Sequence, residues 1–192
     1  MAVKTFTQGE KLNYTDTNTY LANGGLVFVK QITVGSAVSS VDVTSCFNST
    51  YSSYRIVMTQ VGGISSAANL VCRILSGTTP VTAGYSGILM YASVGSSAAY
   101  VGVADNNTTQ WSYLTGVCTG SFFSAAFDVV DPFDAAATRI GPVAFQKTIG
   151  GLDMGYYSGV LANTTSYDGI RFLPSTGTMT GGTITVYGYR EG

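Results

Sequence analysis

The amino-acid sequence predicts an all-β fold, a single antiparallel β-sandwich of jelly-roll-like form with a short N-terminal arm containing a small helix. Three observations lead there. Apolar residues make up 45% of the 192 residues and charged residues only 10%, which gives the chain the apolar content for a core that disordered sequences lack. Beyond residue 25 the apolar positions recur every second residue, the period of strands. The 24 glycines fall with Asn, Ser and Pro between these runs, where tight turns need them. The length suits one sandwich core, so the plan is an arm over residues 1–24 and a β-domain over residues 25–192.

The arm is set apart by its charge, since Lys4, Lys11 and Lys30 fall in the first thirty residues and Lys147 is the one lysine beyond them. Asn13 or Thr15 offers an N-cap and Gly24 a stop, which predicts about two helical turns between them. Leu12, Tyr20 and Leu21 would dock that helix on a neighbour or fold it back on the parent domain. The first strand is expected through Val27, Val29 and Ile32 to Val34, and the second through Val38, Val41 and Val43. Further strands are predicted over 54–61, 69–75, 87–92, 99–104, 111–117, 122–130, 139–149, 155–161, 169–173 and 178–189. Turns are predicted at Gly62-Gly63, Ser76-Gly77-Thr78-Thr79-Pro80, Asp105-Asn106-Asn107, Asp131-Pro132 and Gly150-Gly151. Many short, closely spaced strands argue for two packed antiparallel sheets. No fixed-period repeat points to a propeller or a β-helix. The final run, Thr183-Ile184-Thr185-Val186-Tyr187-Gly188-Tyr189, alternates β-branched and aromatic residues and is expected to be pinned in a sheet.

The composition narrows function. Histidine is absent, which removes the commonest general base, the Ser-His and Cys-His pairs and most zinc sites. Glu10 and Glu191 lie at opposite ends and the Asp residues show no facing pair, so no glycosidase site is legible. The expectation is a non-enzymatic protein without cofactor. A net charge of −1 from scattered charges offers no basic stripe for nucleic acid or an anionic membrane. No apolar run reaches membrane-spanning length, and residues 1–10 lack the apolar core of a secretory signal. A weakly charged exterior suggests a surface covered in an assembly.

Three features have competing readings. Cys46, Cys72 and Cys118 are taken as small buried hydrophobes in a reducing compartment rather than a disulfide framework. Asp128, Asp131 and Asp134 could share a Ca²⁺, but a turn at Asp131-Pro132 with the flanking acids in water is the reading preferred. Tyr85, Tyr91, Tyr100, Tyr113, Tyr156, Tyr157 and Trp111 could stack on sugars, but strand residues at a core rim or subunit interface are preferred.

Both ends of the chain show a resemblance. Lys4-Thr5-Phe6, Gly9-Glu10, Leu12-Asn13, Asp16, Asn18 and Tyr20-Leu21 together resemble the start of many bacteriophage tail and minor structural proteins. Phe47-Asn48-Ser49-Thr50-Tyr51-Ser52-Ser53-Tyr54-Arg55-Ile56-Val57 and the stretch from Tyr167-Asp168-Gly169 to Tyr187-Gly188-Tyr189 are similar to phage fibre-type β-domains. The resemblance implies a virion component made in the host cytoplasm, a homotrimer whose arm holds it to tail or capsid proteins. It implies attachment residues Leu12, Asp16, Asn18, Tyr20 and Leu21. The role expected is a short tail fibre or receptor-binding protein that meets a host surface glycan, with a capsid decoration protein as the alternative. The absence of a heptad shaft departs from long fibres.

Overall fold

The computed structural model describes residues 7–11, 25–94, 101–117, 120, 122–147 and 152–190. Its regular elements are all strands, in two antiparallel sheets. The larger sheet runs, in spatial order, β1 (Leu26–Thr33), β12 (Thr183–Tyr189), β3 (Ser53–Gly62), β8 (Phe122–Val130), β9 (Thr138–Lys147), β10 (Asp153–Leu161), β6 (Tyr85–Ser93) and β7 (Val101–Thr108). The smaller runs β2 (Val41–Val43), β11 (Gly169–Pro174), β4 (Leu70–Ser76) and β5 (Thr79–Pro80).

Period-two patterning explains the layers. Val186, Ile56 and Phe127 are cross-strand partners on β12, β3 and β8, so one row of apolar side chains points inward from three strands. Leu70, Cys72 and Ile74 of β4 and Ile170 and Phe172 of β11 join these residues in one buried cluster. The Phe127 and Phe172 rings meet edge-on at 6.4 Å across the layers. Each such side chain contributes roughly 1.5–3 kcal/mol by leaving water.

The larger sheet extends beyond the smaller one through β9, β10, β6 and β7, and residues 110–115 help cover the inner side of this extension. Trp111 exchanges both backbone hydrogen bonds with Cys72 at 3.1 Å, and its ring stands edge-on to Tyr85 at 5.0 Å. The Leu70 amide donates to Thr115 Oγ1 at 3.0 Å, and the Leu114 amide to the Leu70 carbonyl at 3.1 Å.

Several expected elements differ. Residues 111–117 form a loop tied to β4 by one bridge, not a strand, because the buried positions Trp111, Leu114 and Thr115 do not alternate. Asp105-Asn106-Asn107 lies inside β7, where the Asp105 carboxylate accepts two hydrogen bonds and the turn propensity survives as a bulge, with Asn107 at φ 52° and a register shift against β6. Thr79-Pro80, read as part of a turn, pairs with β4 as an edge strand, a position that tolerates proline's missing N–H. β12 starts at Thr183 instead of residue 178 because Gly181 and Gly182 take φ of 77° and 88°, outside the strand region. The helix expected between Asn13 and Gly24, and the residues Cys118, Tyr100 and Gly150-Gly151, lie outside the described residues.

Candidate interaction surface

Strands β6 and β10 are direct neighbours, with Met90 opposite Tyr156 and Ala92 opposite Met154. Their inward rows, Tyr85 and Leu89 on one strand and Tyr157 and Leu161 on the other, are fully buried. Alternation then sends the intervening residues outward. Ile88 (59% exposed), Met90 (60%), Met154 (56%) and Tyr156 (62%) form a stripe, continued by the exposed Val94 and Leu152. The Val94 amide donates to the Leu152 carbonyl at 2.7 Å, so these two extend the same pairing. Ala104 of β7 and Ala144 of β9 stand opposite Ile88 and Tyr156, which keeps the stripe's flanks low. A groove of about 330 Å³ runs between Met90, Ala92, Ala144, Met154 and Tyr156.

The sheet is buttressed on its inner side by two close approaches. A Cβ on Gly159 would lie 2.5 Å from the Trp111 ring, and one on Gly87 2.6 Å from Cζ of Tyr157. Both glycines thus leave room for an aromatic ring that buttresses the strands. Tyr157 Oη donates to Asp105 at 2.7 Å, and the Ser112 amide donates to the same carboxylate at 3.1 Å, joining β10, β7 and the covering loop.

Burial, reinforced by the Asp105 hydrogen bond and charge, raises the Tyr157 hydroxyl well above its ordinary value. Burial also raises Tyr85. A tyrosine whose folded pKa is raised contributes stability that is fully present below its unfolded value of about 10 and is lost as pH rises beyond that value. The thiols of the buried Cys46 and Cys72 are raised as well, so the urea midpoint should start to fall above about pH 8.5, where unfolded thiols ionise, and fall more steeply above about pH 10. A midpoint that held level to about pH 11.5 would contradict this.

The outer face is divided electrostatically. On β1, β12, β3 and β8 it carries polar pairs: Arg55 lies 3.3 Å from Asp128, Tyr189 Oη donates to Asp128 at 2.8 Å, and Gln31 donates to Thr185 at 2.9 Å. On the extension, the one charged group among the described outward side chains is Arg139, and Asp131 holds it at 3.1 Å. The stripe itself is uncharged.

The residues singled out in the sequence are dispersed. Leu12, Asp16, Asn18, Tyr20 and Leu21 lie outside the described residues. Asp128 and Asp131 each face an arginine instead of a shared centre with Asp134, and the described residues contain no group of three potential metal ligands. Cys46 and Cys72 are buried free thiols, and burial pushes Cys46 up to about 12. Of the aromatic group, Trp111, Tyr85 and Tyr157 are buried in the core, Tyr91 and Tyr113 are half-buried, and Tyr156 is exposed on the stripe. Sequence reasoning missed Ile88, Met90, Val94, Leu152 and Met154. The available signal was Ile88-Leu89-Met90-Tyr91-Ala92, an apolar run without polar alternation, the mark of a strand covered on both faces.

No protein-family model, curated protein or solved structure matches this chain.

Proposed function

We propose that the protein is a non-enzymatic structural component of a bacteriophage particle, a short tail fibre or receptor-binding protein held to the particle by its N-terminal arm. The observation that carries this reading is strand order. With β6, β7, β9 and β10 set aside, the two sheets run β1-β12-β3-β8 and β2-β11-β4-β5. That is the order of a jelly roll, the double-sheet fold used by viral capsid and lectin domains. The four remaining strands are insertions on either side of β8 that widen one sheet. The resemblance of both chain ends to phage tail and fibre proteins supports the same reading.

The test is adhesion of the purified full-length protein to host cells or their surface polysaccharide. Binding should be lost on substitution of exposed loop residues and kept when Leu12, Tyr20 and Leu21 are replaced, whereas those arm substitutions should block incorporation into particles. Particles that lack the protein yet adsorb normally would contradict the receptor-binding role.

A capsid decoration role is the second reading, favoured by the stripe: an apolar, uncharged face suits packing against protein better than against a hydroxyl-rich sugar. Copy number separates the two, with on the order of hundreds per particle expected for a coat lattice and at most a few tens for a tail.

A further inference from the structure

We infer that the outward stripe of β6 and β10 is a self-association face, covered by the same stripe of a second copy of this chain related by a two-fold axis. The inference is independent of where the protein sits in a particle.

Area is the first argument. The six apolar side chains Ile88, Met90, Val94, Leu152, Met154 and Tyr156 expose on the order of 700 Å² together, above the few hundred Å² of apolar patch that a soluble monomer ordinarily shows. Two stripes laid together would bury up to about 1,400 Å², against the roughly 1,200–2,000 Å² of a stable interface.

Complementarity is the second. With no charged side chain described on the stripe, a second stripe meets it without like-charge repulsion and without stranding an unpaired charge in an apolar contact. A partner with a charged face would lose hydration there and gain no counter-charge.

Geometry is the third. Sheet faces pack about 10 Å apart with interdigitating side chains, and the groove beside Met90 and Tyr156 offers a recess for the partner's side chains. The remaining exposed large apolar residues, Leu26, Phe28 and Phe122, are separated from the stripe, and Phe28 is engaged edge-on by Tyr187. Among the described residues the stripe is therefore the one apolar patch of a size to match itself. A surface that matches itself defines an isologous, two-fold contact, whereas a three-fold ring needs two different patches that meet.

The test combines mass with methionine footprinting on the full-length chain. Sedimentation should give a dimer, or an assembly of dimers, in the wild type. Met90→Lys and Met90→Glu should each weaken self-association at least 100-fold, and an equimolar mixture of the two should restore it to within about 10-fold of wild type. Restoration on mixing also shows that both variants fold. Under peroxide, Met154 should be protected at high protein concentration and oxidised on dilution, with the buried Met58 and Met179 as internal references. A wild-type monomer, or a trimer whose mass Met90→Lys leaves unchanged, would overturn the inference. So would Met154 protection independent of concentration, which would mean that a segment of the same chain covers the stripe.

Discussion

Gly155→Ala is expected to cost about 3 kcal/mol or more of folding stability, the size of effect reserved for a clash that the fold cannot relax. Gly155 lies on β10 between Met154 and Tyr156, opposite Tyr91 of β6. A Cβ there would press into the Met90 carbonyl oxygen and come within 2.6 Å of the Tyr91 Cα. Both obstacles are backbone, and β6 is hydrogen-bonded on its other side to β7, so relief requires β10 and β6 to separate. Self-association should fall with it, because the stripe spans that pair. Gly102→Ala is the matched control: it lies on β7, its added Cβ would have no neighbour within 4 Å, and the change should stay within about 0.5 kcal/mol or stabilise slightly through a stiffer unfolded chain. Urea denaturation followed by the fluorescence of Trp111, the chain's single tryptophan, measures both. Equal stabilities for the two variants would refute the packing described for β6 and β10.

Trp111→Ala should cost about 4 kcal/mol, in the range for deleting a large buried aromatic ring. The ring is fully buried, stands against Tyr85 and fills the space that Gly159 leaves open. Its loss opens a cavity between the covering loop and the extension. Trp111→Phe should cost far less, about 1–2 kcal/mol. The indole Nε1 is buried with no hydrogen-bond partner, so phenylalanine keeps most of the apolar contact and removes an unpaired donor. Circular dichroism in urea, which does not depend on the missing fluorophore, gives both values. A phenylalanine variant as unstable as the alanine variant would mean that the indole nitrogen is engaged after all.

These effects bear on which features were legible in the sequence. Strand β8 matches its expected bounds, because Phe122-Phe123, Phe127 and Val129-Val130 favour a strand and Asp131-Pro132 closes it. The two-sheet class followed from the same local signals. At two of the places where the fold departs from expectation, a distant partner decides the outcome. Asp105 became a strand residue because Tyr157, fifty-two positions away, supplies the hydrogen bond that a turn would have supplied locally. Trp111 left the strand class because the space under Gly159 and beside Tyr85 accepts a loop ring. The stripe was harder still to see. Leu89 and Met90 are both apolar, and alternation says only that they face opposite ways, so which one meets the core depends on where residues 110–115 come to rest.

The position of β12 has a kinetic consequence. It lies between β1 and β3, paired with both, although more than 120 residues separate it from either. A chain emerging vectorially from the ribosome presents β1 and β3 long before the strand that joins them, leaving an open slot with two unpaired edges. Closure of that slot is a long-range event of the kind that makes folding slow. Until residues 183–189 arrive, the nascent domain offers a strand-shaped vacancy to any neighbouring chain. Chains released early, before β12, should therefore be the ones that need a chaperone.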